Sequence, residues 1–124
     1  MEQTRRGRGM GIPAVGSIVL VPIPFTDFSG YKKRPALVVG YAEFNNIIVC
    51  QITSKAYTSK QSIALTKSDY KKGELRLTSY IRPDKLSTID TKLILANLAE
   101  LTLKKQNEVS KALVALFEIQ PKIT

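Results

Sequence analysis

Short segments in a fixed order along the 124 residues carry side chains suited to handling a phosphate. The apolar run Gly16-Ser17-Ile18-Val19-Leu20-Val21 comes first, and Lys33-Arg34-Pro35 then leads into Ala36-Leu37-Val38-Val39. Ile52 precedes Thr53-Ser54, and Ile81 precedes Arg82-Pro83-Asp84, which runs on to Thr88-Ile89-Asp90. Arginines, hydroxyls and a carboxylate thus fall at the ends of apolar strands, where a rigid sheet can aim them into a shared groove. Arginine stays charged at neutral pH and clamps phosphate oxygens, a hydroxyl orients them, and a carboxylate such as Asp84 accepts a proton. Each residue also has a structural reading: Arg34 as a turn charge, Arg82 with Asp84 as a surface ion pair, Thr53 as filling of a pleated face.

Composition removes several other chemistries. There is no histidine, so a histidine-dependent triad and the commonest zinc sites are excluded. The single cysteine, Cys50, follows Ile47-Ile48-Val49 and reads as a small buried hydrophobe. No disulfide can form within the chain, in keeping with a reducing compartment. Asp27, Asp69, Asp84 and Asp90 are spread among different loops and caps, so neither a metal nor another cofactor is expected. The net charge of +9 calls for an anionic partner, nucleic acid or an acidic protein. No apolar run is long enough to span a bilayer and the first residues lack a secretory signal, so a cytoplasmic location away from membranes is expected.

The elements that must hold these residues are mostly strands. Residues 1–14, with Arg5, Arg6 and Arg8 against Glu2, read as a flexible basic arm, and 15–124 as one domain. Strands are predicted at 17–22, 36–39, 47–53, 62–66, 79–82 and 86–89 from their Val, Ile, Thr and Tyr content. Breaks are predicted at Asp27-Phe28-Ser29-Gly30, Asn45-Asn46 and Lys71-Lys72-Gly73. Asp90 is expected to cap a short turn at 91–94, and the lysines Lys67, Lys71 and Lys72 to form a solvated face. After Leu103 the period changes: Val109, Ala112, Leu113, Leu116 and Phe117 form one helical stripe, while Lys104, Lys105, Glu108 and Lys111 face water. Thr102 is the expected N-cap and Pro121 the stop. The fold class is mainly β (α+β), a small barrel of antiparallel strands with a C-terminal helix.

The segments Lys33-Arg34-Pro35-Ala36-Leu37-Val38-Val39, Ile52-Thr53-Ser54 and Arg82-Pro83-Asp84 with Thr88-Ile89-Asp90 resemble the MazF/PemK toxins of type II toxin–antitoxin modules. The opening 16–25 is similar to that family's first strand, and the resemblance runs from about Gly16 to Leu98. It implies an SH3-like barrel, a homodimer, and an endoribonuclease that cuts single-stranded mRNA sequence-selectively without a metal. It places Arg34 and Thr53 at the scissile phosphate, and the PemK-like branch adds Ser54, Arg82 and Asp84.

In such a reaction a ribose 2′-hydroxyl loses its proton and attacks phosphorus as the 5′-oxygen leaves. Asp84 is then the candidate base, Arg34 and Arg82 the charge clamps, with leaving-group protonation open to either, and Thr53 and Ser54 the phosphate's hydrogen-bond partners. Some PemK-like members carry a histidine between the first two strands, which this chain lacks. Its loop offers Lys32 and Lys33 for phosphate contacts and Phe28 and Tyr31 for stacking on a base, and Lys55 is a further RNA contact beside Ser54. An acidic cognate antitoxin is the expected partner, and Leu95, Leu98, Leu113 and Leu116 the expected dimer surface. Two other classes share these features: a non-enzymatic, gyrase-poisoning toxin on the same barrel, which normally presents a tryptophan absent here, and an SH3-like nucleic-acid-binding module.

Overall fold

Alternating β-branched residues build one seven-stranded antiparallel sheet in the computed structural model, which describes residues 11–56 and 60–118. The strands are β1 (Ser17–Pro24), β2 (Tyr31–Ala42), β3 (Asn46–Thr53), β4 (Ile63–Ala64), β5 (Tyr70–Gly73), β6 (Tyr80–Asp90) and β7 (Ala96–Leu101). Their order across the sheet is β4-β6-β3-β2-β1-β7-β5, and the chain closes with helix α1 (Leu103–Phe117). The sheet bends into a half-barrel, so the mainly β class with a C-terminal helix holds. The first ten residues of the basic arm and Pro121 lie outside the described residues. Pro13 is already buried, and its carbonyl accepts a bond from the Tyr41 hydroxyl at 2.9 Å.

Period-two alternation gives the sheet two apolar faces. Ile18, Leu37, Cys50, Ile52, Ile81 and Leu101 form one core with Val109 of α1, and Val19, Val21, Ile23, Ala36, Val38, Ile47, Val49 and Ile89 form the other. Burying each Ile, Leu or Val contributes about 1.5–3 kcal/mol, so the strands that carry the site rest on both cores. Gly16 immediately precedes β1 at φ +100°, donating to the Val38 carbonyl and accepting from Leu101 N–H. That left-handed φ strains any residue with a Cβ, which would also have to displace the Gln106 amide of α1, so glycine suits the position that joins three elements.

Tertiary pairing moved several predicted boundaries. β2 begins at Tyr31, five residues before the predicted 36, because its first residues pair along β1 as far as Pro24. Lys32, Lys33 and Arg34 are therefore strand residues. The strands predicted at 79–82 and 86–89 merge into β6, and buried Pro83 is accommodated where the register slips between Cys50 and Gln51 of β3. The strand predicted at 62–66 shrinks to two residues because Thr66 and Asp69 cap each other around a 3-10 turn. Lys71-Lys72-Gly73, predicted as a break, belongs to β5, and β7 has little β-branched character; β5 exists through pairing with β7, and β7 through pairing with both β5 and β1. The β2–β3 turn has its positive φ values at Phe44 and Asn45, one position earlier than the predicted Asn45-Asn46.

Thr102 caps α1 by accepting from Lys105 N–H at 3.2 Å, and Asp90 caps its 3-10 turn by accepting from Lys92 N–H at 2.8 Å. Val109 is buried as predicted, but Phe117, at 69% exposed, leaves the stripe. Lys105 corrects the helix reading most clearly: it is 8% exposed rather than facing water. Its ammonium lies 3.5 Å from Asp69 and 3.0 Å from Glu108, so partners on two elements offset its desolvation.

Candidate active site

Register places the polar residues. Ala36 pairs with Gln51, Gln51 with Arg82, and Thr53 with Tyr80. Alternation then puts Arg34, Ala36, Gln51, Thr53, Tyr80 and Arg82 on one face of β2, β3 and β6. Arg82 is the diagonal neighbour of Thr53 across β3 and β6, a separation of about 7–8 Å between Cα atoms. Buried Leu37, Ile52 and Ile81, on the opposite face, fix these backbones in the core.

A groove of about 640 Å³ opens at the end of β2 and β3. Lys33, Pro35 and Ile52 from one face of β2 and β3 meet Arg34 and Thr53 from the other at this strand end, with Ser54 beyond them, and Glu74, Leu75, Arg76, Leu77, Ser79 and Leu98 complete the lining. The segment that forms the second wall is held in several places. Ser79, itself buried, donates from its hydroxyl to the Leu77 carbonyl at 2.8 Å, and its own carbonyl accepts from Leu65 N–H at 2.9 Å. At Gly73, with φ +66°, a Cβ would lie 2.6 Å from the Leu98 carbonyl, so glycine lets the chain press against β7 before it turns into the wall.

Within the groove the Thr53 hydroxyl accepts from Lys55 N–H at 3.2 Å, which leaves its own proton to donate. Among the described residues, Arg34 takes part in no ion pair. Beside the groove Arg82 and Asp84 form a two-point bridge, Nε to Oδ1 at 2.9 Å and Nη2 to Oδ2 at 2.7 Å. Those bonds hold Asp84 below the 3.8 usual for aspartate against the opposing effect of burial, and they raise Arg82. The carboxylate is thus ionised and occupied. Behind it, burial and the Asp84 charge push the Cys50 thiol up to about 12, which removes it as a nucleophile. Among the described residues no three His, Cys, Asp or Glu side chains gather as a metal site, and no helix is long and apolar enough to cross a membrane.

Of the sequence-predicted residues, Lys33, Arg34, Thr53 and Ser54 come together in the groove, whereas Arg82 and Asp84 do not line it and stand on β6, the strand next to Thr53. Lys32, Tyr31, Phe28 and Lys55 are exposed and do not line it. Phe28 stands at the tip of the β1–β2 hairpin at φ 59°, 86% exposed, an unusual conformation for an aromatic residue. Asp27 stabilises that tip by accepting from Ser29 N–H at 2.9 Å. Leu98 and Leu113 pack against the first core and Leu116 is half-buried, so of the predicted dimer surface Leu95 alone is exposed, at 52%. Sequence reasoning missed Gln51 and the wall from Glu74 to Ser79. The alternation Glu74-Leu75-Arg76-Leu77 was the available signal for that wall.

The same arrangement of sheet and helix recurs in solved structures. An endoribonuclease from a mycobacterial species superposes with a TM-score of 0.67 at 21% identity, covering 90% of this chain and 98% of its own. A mycobacterial endoribonuclease in complex with its cognate antitoxin gives 0.66 at 23% identity, covering 88% and 99%. A MazE–MazF complex from Deinococcus radiodurans gives 0.68 at 21%, covering 86% and 96%. At these identities the likeness establishes the fold alone. A search of curated proteins returned no significant sequence match. The family model for the PemK-like, MazF-like toxins of type II toxin–antitoxin systems matches residues 14–117, a span that takes in the groove, the Arg82–Asp84 bridge and the helix behind them, and the chain belongs to that family.

Proposed function

We propose that the chain is an endoribonuclease toxin that cuts single-stranded mRNA by 2′-hydroxyl attack at this groove. The observation that carries the reading is the placement of Arg34, in no ion pair among the described residues, and the Thr53 hydroxyl one strand away from the Arg82–Asp84 bridge. Membership of a toxin family and structural neighbours described as endoribonucleases support it. A phosphate entering beside Arg34 and Thr53 competes for the Arg82 guanidinium, which prefers a doubly anchored anion. As Arg82 turns to the phosphate, Asp84 loses the bonds that depress it and becomes a better base. Asp84 takes the proton of the 2′-hydroxyl, the oxygen bonds to phosphorus, and the bond from phosphorus to the 5′-oxygen breaks. The leaving oxygen takes up a proton, giving a 2′,3′-cyclic phosphate and a 5′-hydroxyl.

Charge on the non-bridging oxygens is met by Arg34 and Arg82, the role a metal plays elsewhere. Ser54 and Lys33 hold the backbone in the groove, while Lys32, Lys55, Tyr31 and Phe28 extend the contact outside it. An acidic antitoxin peptide is the proposed inhibitor, because its carboxylates fit the same cations. A homodimer, with Leu95 at the contact, would set two grooves side by side where mRNA is found, in the cytoplasm.

The experiment incubates purified protein with single-stranded RNA in EDTA and identifies the new ends. Cutting that leaves a cyclic phosphate is the expected result. A requirement for divalent metal, or products ending in a 5′-phosphate, would overturn the mechanism.

A further inference from the structure

Glu74 is the one carboxylate among the described residues that line the groove, and it stands in no ion pair there. A negative charge in a trough built for a polyanion opposes binding unless it meets hydrogen-bond donors. The phosphates have none. The bases do, and the groove is shaped for one: Pro35, Ile52, Leu75, Leu77 and Leu98 give an apolar lining beside the cations Lys33, Arg34 and Arg76. Resting on the RNA-cleaving reading above, we infer that Glu74 selects a guanine in the bound strand.

The selectivity follows from what a carboxylate can do. Both of its oxygens only accept. A splayed base in single-stranded RNA offers its Watson–Crick edge to the protein. Guanine sets two donors side by side on that edge, N1–H and the 2-amino group, and so meets both oxygens. Adenine and cytosine pair one amino donor with a ring acceptor, which repels the second oxygen, and uracil sets its single N–H between two carbonyls. A two-point match of this kind discriminates between bases by about tenfold to a hundredfold.

The test compares the wild-type chain with Glu74→Gln. Glu74 is exposed, so the variant should unfold at the wild-type temperature. Binding is measured with 2′-fluoro oligouridines, which lack the attacking hydroxyl, each carrying one guanine, inosine, adenine or cytosine. The wild type should prefer guanine over inosine, which lacks the 2-amino group, and over the other bases. Glu74→Gln should lose that preference and gain affinity for adenine and cytosine, whose paired donor and acceptor each match an amide. In parallel, cut sites are mapped in a random RNA pool, where guanine should recur at one fixed offset from the wild-type cut. Guanine preference that is absent from the wild type, or unchanged in Glu74→Gln, would overturn the inference. If nothing is cut but the binding preference behaves as stated, the nuclease reading falls and the role of Glu74 stands.

Discussion

Two aspartates of this protein each hold a cation and serve opposite ends. Asp69 accepts from Thr66 N–H at 2.7 Å and from the Thr66 hydroxyl at 3.0 Å, with the Lys105 ammonium 3.5 Å away. Burial works against its charge, but the Thr66 bonds and Lys105 outweigh it and keep Asp69 low. Asp84 is held by one residue, Arg82, beside an open groove. The first carboxylate ties α1 to the turn that leads into β5, and nothing that enters the groove can compete for it. The second sits in a bridge that an incoming phosphate can open. Equal chemistry is tied into the structure in one place and, on the proposed mechanism, poised for reaction in the other, according to how many partners share the charge.

Breaking the poised pair should cost activity far more than it costs the fold. Asp84→Asn should lower the single-turnover cutting rate by about 10²–10⁴-fold, the usual contribution of a positioned base. Arg34→Ala should lower it by about 10²–10³-fold with thermal unfolding nearly unchanged, whereas Asp84→Asn also gives up the ionised Arg82 bridge and should lower the unfolding temperature modestly. Calorimetry beside a gel assay of cutting separates the two effects.

Breaking the structural pair should do the reverse. Asp69→Asn weakens charge-assisted bonds around a buried lysine and should destabilise by about 1.5–3 kcal/mol in urea titration. Cutting well below the unfolding transition should stay close to wild type. If Asp69→Asn lost activity as Asp84→Asn does, the division between the two aspartates would fail.

A pH series sharpens the same contrast. Both carboxylates are depressed in the fold, so their stabilisation is present above the ordinary aspartate value of 3.8 and is lost as pH falls through the lower folded values. For kcat/KM, which reports the free enzyme, the acid limb should lie below 3.8. Arg82→Gln should move that limb upward, since the guanidinium bonds are the main cause of the depression. The smallest effect belongs to Cys50: Cys50→Ala should leave the cutting rate unchanged, as should a thiol reagent applied to the folded protein.

The half of the groove carried by β2 and β3 was legible because its residues close apolar strands with strong local signals. Arg34 and Thr53 follow from Pro35 through Val39 and from Ile47 through Ile52, runs that form strands for their own reasons. The opposite wall was not legible. Glu74 to Ser79 owe their position to Gly73 pressing on β7 and to Ser79 bonding back to Leu77, contacts made across the sheet that no local pattern announces. Lys105 was misread for the same reason. On the helix it is an ordinary polar residue; only the arrival of Asp69 makes its burial tolerable.

The central claim is that the groove cuts RNA through the ribose hydroxyl, with Asp84 as its base. The most direct measurement takes a short RNA with one mapped cut site and replaces the ribose 5′ to the scissile phosphate with deoxyribose. The account predicts that cutting at that bond stops while binding persists, and that the intact RNA with Asp84→Asn shows the same pattern. Cutting of the deoxyribose-containing strand at the original bond would contradict it.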